Sequence, residues 1–141
     1  MNAVVLTVTG LISGEPLAEL PSGVRIRQIT AAGETDDPDV LVIGLPNGPL
    51  ARWARRLHDR SRSSVALRML LRISPLDAGA SFWRAVRRDA RVPGFLAGTD
   101  LLIAGERDAN FTTWQLARRT GLPAVSGYAA GRTELIGTGA S

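Results

Sequence analysis

The feature that most constrains this chain is a repeated switch of hydrophobic period. Short apolar runs at residues 3–8, 24–30, 40–44, 65–73, 101–104 and 124–126 have the length and composition of strands. The run at 40–44 (VLVIG) is continuous, as in a strand covered on both faces. At 24–30, Val24, Ile26 and Gln28 alternate with Arg25, Arg27 and Ile29, which reads as half-buried or edge-like. At 65–73, Val65, Leu67, Met69, Leu71 and Ile73 share one face at period two, so this run is read as a strand.

Helical spacing fills most of the gaps. Residues 49–60 begin with Pro49 in the first turn and set Leu50, Trp53, Ala54 and Leu57 opposite Arg52, Arg55, Arg56 and Arg60. Residues 77–91 set Phe82, Trp83, Val86 and Ala90 opposite Arg84, Arg87, Arg88 and Arg91. Residues 108–120 take Asp108 as N-cap and Gly121 as C-cap, with Pro123 beyond and Phe111, Trp114 and Ala117 facing inward. All three tryptophans are thus expected in the core. A short helix is expected within 15–20, with Pro16 at its start. Alternation of this kind implies parallel βα units with right-handed crossovers. The expectation is a doubly wound, Rossmann-like α/β domain over residues 1–128. It has a mostly parallel sheet of five or six strands and helices on both faces. Residues 129–141 (AAGRTELIGTGAS) read as a loose, small-residue polar tail.

Composition removes several chemistries. The 141 residues contain no cysteine and one histidine, so cysteine-ligated metals, thiol nucleophiles and paired-histidine sites are excluded. All 17 basic residues are arginine, which excludes a P-loop lysine and a Schiff base. The net charge of +4 with arginine alone inflates the isoelectric point without requiring a nucleic-acid partner. The arginine faces read as solvated, and no helix-turn-helix is evident. No apolar stretch reaches spanning length and no leader is evident, so the cytoplasm is the default, with peripheral contact at the inner membrane face left open.

In an open parallel sheet, ligands bind beyond the carboxyl ends of the strands. That rule selects residues 9–14, 46–48, 105–108 and 126–128. Thr9, Gly10, Gly14, Asn47, Gly48 and Arg107 are the candidate substrate-binding residues, and Glu106 is the candidate general base or holder of a sugar hydroxyl. His58 falls late in its helix, at the opposite edge, and Asp36, Asp37 and Asp39 read as a solvated turn. No GxSxG elbow, Walker loop or GxGxxG is present, so no catalytic constellation is complete and no metal or cofactor is expected.

A strand followed by LPNGPL, then VALRMLLRISP, then SFWRAVRRDARVPGFLAGTDLLIAGERDANFTTWQLARR, resembles the N-terminal Rossmann-like half of GT-B glycosyltransferases of the actinobacterial polysaccharide type. In those enzymes an apolar strand precedes a Trp-containing helix, and the donor is held mainly by a C-terminal half that this chain does not contain. The resemblance implies a domain acting with a donor-binding partner chain in polysaccharide or cell-envelope glycan assembly. A non-catalytic interaction module or homo-oligomer is the alternative, and an arginine-rich nucleic-acid binder the second alternative.

Overall fold

The computed structural model describes residues 1–12, 17, 20–45 and 77–138. The expected helix at 49–60 and strand at 65–73, with His58, Trp53, Gly14, Asn47 and Gly48, lie outside the described residues. Among the described residues, five strands form one sheet: β1 (Asn2–Thr7), β2 (Arg25–Thr30), β3 (Val40–Val42), β4 (Leu101–Ala104) and β5 (Ala124–Ser126). Every neighbouring pair is parallel, in the order β3-β2-β1-β4-β5. This is the Rossmann-like layer that the alternating periods imply. The register places Val5 between Gln28 and Ile103, and Thr7 beside Thr30.

Helices cover both faces. On one lie α1 (Ala78–Arg88), α2 (Val92–Leu96) and α3 (Asn110–Thr120). They pack Phe82, Val86, Leu96 and Leu116 against Val4, Leu6, Ile29 and Leu102. On the other lies α4 (Tyr128–Thr138), whose Leu135 joins Leu17 against Ala3, Val5, Leu101 and Ile103.

The structure corrects four local expectations. First, β2 is an inner strand, bonded to both β1 and β3. Its charged residues misled: Arg27 is accommodated by laying its guanidinium over the Phe95 ring at 5.2 Å and donating to the Ala97 carbonyl and Thr99 Oγ1. Second, the helix expected over 77–91 ends at Arg88. Asp77 caps its start by accepting from the Ala80 N–H, and a corner at Asp89 leads into α2. Arg91 holds that corner, pairing with Asp89 at 2.6 Å and donating to the Val42 carbonyl on β3.

Third, the loose tail is helical through Thr138. Gly127, at φ 87°, makes the turn from β5, and Gly131 lets α4 approach so closely that a Cβ there would meet Ile103 Cδ1 at 2.7 Å. Fourth, α3 is rotated from the expected facing: Ala117 packs against the core as expected, but Phe111 and Trp114 do not. Thr112, Thr113 and Leu116 are buried, whereas Phe111 is 44% and Trp114 51% exposed. Asp108 is not its N-cap, because residues Arg107–Ala109 form a preceding 3-10 turn. The C-terminus is as expected: Gly121 is left-handed at φ 73° and its N–H bonds to the Ala117 carbonyl.

Candidate functional site

The chain leaves β1 to form β2 and β3 on one side, then crosses over to form β4 on the other. The carboxyl ends of β1 and β4 therefore flank the topological switch point, the place where doubly wound sheets bind ligands. Two loops meet there. Residues 8–12 follow β1, and residues 105–109 follow β4.

The first loop is held from below by a buried polar network. Gln28, only 5% exposed, donates from Nε2 to Thr7 Oγ1 at 2.7 Å and to the Gly10 carbonyl at 2.9 Å. Its Oε1 accepts from the Ile12 N–H at 3.1 Å. Thr7 Oγ1 also donates to the Gly10 carbonyl at 2.8 Å. Burying a carboxamide is costly unless its bonds are made, and here three are. Gly10 is therefore an anchor: its carbonyl points into the domain.

Glu106 ties the second loop to the first. Its Oε1 accepts from the Val8 N–H at 3.2 Å, the Thr9 N–H at 3.1 Å and Thr9 Oγ1 at 2.8 Å. Two successive amides and a hydroxyl make a small anion receptor, and the carboxylate of the chain itself fills it. Among the described residues, Oε2 takes no hydrogen bond, so one oxygen is fixed and the other is left for a donor. Tyr128 lies beside this pair. Its hydroxyl sits where a Cβ on Gly105 would come within 2.6 Å, so the glycine makes room for the ring. Across the crevice, Ser126 Oγ donates to Asn110 Oδ1 at 2.7 Å, joining the end of β5 to the start of α3. Arg107 is exposed in the 3-10 turn.

Burial, and secondarily the charge of Glu106, push the Tyr128 phenol above its ordinary value. The unfolded chain thus ionises first, and the folded state keeps its proton longer. Any stability this group contributes is fully present below the ordinary phenol value and is lost as pH rises past that value and through the raised one of the folded state. Chemical denaturation at neutral and strongly alkaline pH is expected to show this fall, and Tyr128→Phe is expected to reduce it.

Thr9 and Glu106, expected at the site, are brought into contact, with Gly10 beneath them and Arg107 at the margin. Ser126 and Tyr128 belong to the 126–128 loop that the strand-end rule selects, whereas Gln28 and Asn110 lie outside the selected loops. Of the latter two, only Gln28 left a signal, as a polar residue at an inward position of an alternating strand. Asp36, Asp37 and Asp39 lie at the opposite edge, where Asp39 pairs with Arg25 at 2.6 Å and Asp37 Oδ1 accepts from the Asp39 N–H. A cleft of about 420 Å³ also opens at the amino edge, between α1, α2 and α3. Its floor, including Val86 and Leu116, is already 1% and 5% exposed and offers little surface to a ligand.

Among the described residues no helix is long and apolar enough to cross a membrane. Comparison with known protein families, with curated proteins and with solved structures finds no match to this chain.

Proposed function

We propose that this chain is the acceptor-binding half of a glycosyltransferase-like enzyme of GT-B layout. In this reading it works in the cytoplasm, at the inner face of the membrane, with a partner chain that holds the sugar donor. The carrying observation is the half-occupied carboxylate of Glu106 at the β1/β4 crevice. A sugar hydroxyl needs an oriented acceptor, and Glu106 supplies one because Val8 and Thr9 immobilise its other oxygen. Thr9 and Glu106 would position the acceptor hydroxyl, and Oε2 would take its proton as the hydroxyl oxygen bonds to the donor sugar and the donor's leaving group departs on the partner. The same internal carboxylate disfavours a phosphate at the loop after β1, where many Rossmann-like domains bind one.

Amide shifts followed by NMR during titration with oligosaccharides test the reading. Changes centred on Thr9, Glu106, Asn110 and Tyr128 are expected, weakened at least tenfold by Glu106→Gln, which keeps the shape but removes the charge. Shifts spread over the molecule, or equal affinity in the variant, overturn it. Affinity purification of the chain should also recover a second Rossmann-like protein.

A further inference from the structure

We infer that the outer face of α3 is a stacking platform for an acidic glycan, extending the crevice down the side of the domain. This deepens the functional reading above and rests on it. Phe111 and Trp114 are the two largest exposed rings among the described residues, at 44% and 51%. Their centroids lie 6.4 Å apart with the planes tilted by 37°. The guanidinium of Arg118 lies 4.9 Å from the Trp114 centroid, so one face of the indole is lined by a cation. Residues 111, 114 and 118 lie within one exposed arc of the helix and span about 10 Å along it. The row begins at the crevice, because Asn110, its neighbour, is bonded to the end of β5.

Size and charge select the occupant. Half-exposed Phe and Trp rings offer roughly 200 Å² together. A lasting protein interface needs about 800 Å² from each partner, so the row is far too small to hold a second copy of the chain by itself. It suits the apolar faces of a few sugar rings. Arg118 has no acidic partner among the described residues, and its stacked guanidinium keeps its N–H edge free for a carboxylate in bidentate geometry. Arg107 adds a second cation at the upper end, next to Asp108. A ligand carrying hydroxyls for Glu106, CH faces for the rings and carboxylates for arginine is a uronate-containing glycan. A single-stranded nucleic acid would use the rings as well, but it would meet the Glu106 carboxylate at the head of the row.

Calorimetric titration of the whole chain with an oligogalacturonate, a neutral gluco-oligosaccharide of the same length and a single-stranded DNA oligomer decides the matter. The acidic glycan is expected to bind at least tenfold more tightly than the neutral one. Trp114→Ala should weaken both glycans roughly tenfold, and Arg118→Gln should remove the preference for the acidic one. Both side chains are exposed, so circular dichroism and unfolding midpoints of these two variants should match the parent. If glycan binding depends on Glu106 but is untouched by Trp114→Ala, the platform is wrong and the crevice reading stands. If Trp114 matters and Glu106 does not, the platform stands and the crevice reading fails. Absence of glycan binding, tighter binding of DNA, or a dimer that Trp114→Ala dissolves overturns the platform.

Discussion

Phe82→Ala is expected to cost about 3–5 kcal/mol, the largest single loss available in the described core. Phe82 is 0% exposed, on the inner face of α1, in the cluster formed with Val4, Leu6, Ile29 and Leu102. Truncation forfeits the transfer energy of the ring and leaves a hole that strands on a hydrogen-bonded ladder cannot close. A domain of this size has a total stability of about 5–15 kcal/mol, so roughly a fifth or more of it would vanish. In urea, with a slope of about 1–3 kcal/mol per molar, the midpoint should fall by more than 1 M at unchanged slope. A loss under about 1.5 kcal/mol would mean that α1 does not rest on the sheet as described.

The second large effect is one of sign. Gly79→Ala is expected to destabilise the domain by about 1–3 kcal/mol, although alanine is the better helix former by about 1 kcal/mol. A Cβ at Gly79 would lie 2.8 Å from the Asp108 carbonyl oxygen and 3.1 Å from Asp77 Oδ2. The first is backbone and cannot rotate away, and the second is the cap of the same helix. Gly94→Ala is the control. Gly94 is exposed within α2, and a Cβ there meets nothing within 4 Å, so a gain of about 0.5–1 kcal/mol is expected. Parallel thermal melts should move in opposite directions. If both alanines stabilise, α1 and the 3-10 turn that leads into α3 are farther apart than the structure places them.

That close approach explains why α3 was misread. Ranking by residue type puts Phe111 and Trp114 inward and leaves the threonines outside. At the Gly79–Asp108 contact only small side chains fit between the helices, so Thr112 and Thr113 take the inner positions. Thr113 Oγ1 donates to the Ala109 carbonyl at 2.9 Å, which satisfies its hydroxyl within the helix. Thr112 Oγ1 reaches the Gly79 carbonyl at 3.5 Å. Helical periodicity shows that a helix exists, but not which side its neighbours leave room for. The tail was misread for a related reason. The 11-residue helix that runs from Tyr128 into it shows little amphipathic pattern, and it is held by Tyr128, Leu135 and the close seating of Gly131 on Ile103.

The crevice was legible in outline only. Strand ends and loop composition pointed to Thr9, Gly10, Glu106 and Arg107, because βα alternation dictates where loops emerge. The partnership of Glu106 with Thr9 spans 97 positions, and no local pattern encodes it. Tyr128 enters through the turn at Gly127, and Gln28 through a register between β1 and β2.

Residue order by itself thus determined the layered parallel architecture and the edge at which the strand-end loops emerge, because period-two and period-3.6 hydrophobicity are properties of neighbouring residues. Tertiary packing alone decided which face of α3 is wet, that the chain is helical from Tyr128 through Thr138, and that one carboxylate oxygen beyond β4 is spoken for. Those outcomes depend on distances of a few ångströms between segments remote in the chain, where a single Cβ or hydroxyl determines what fits.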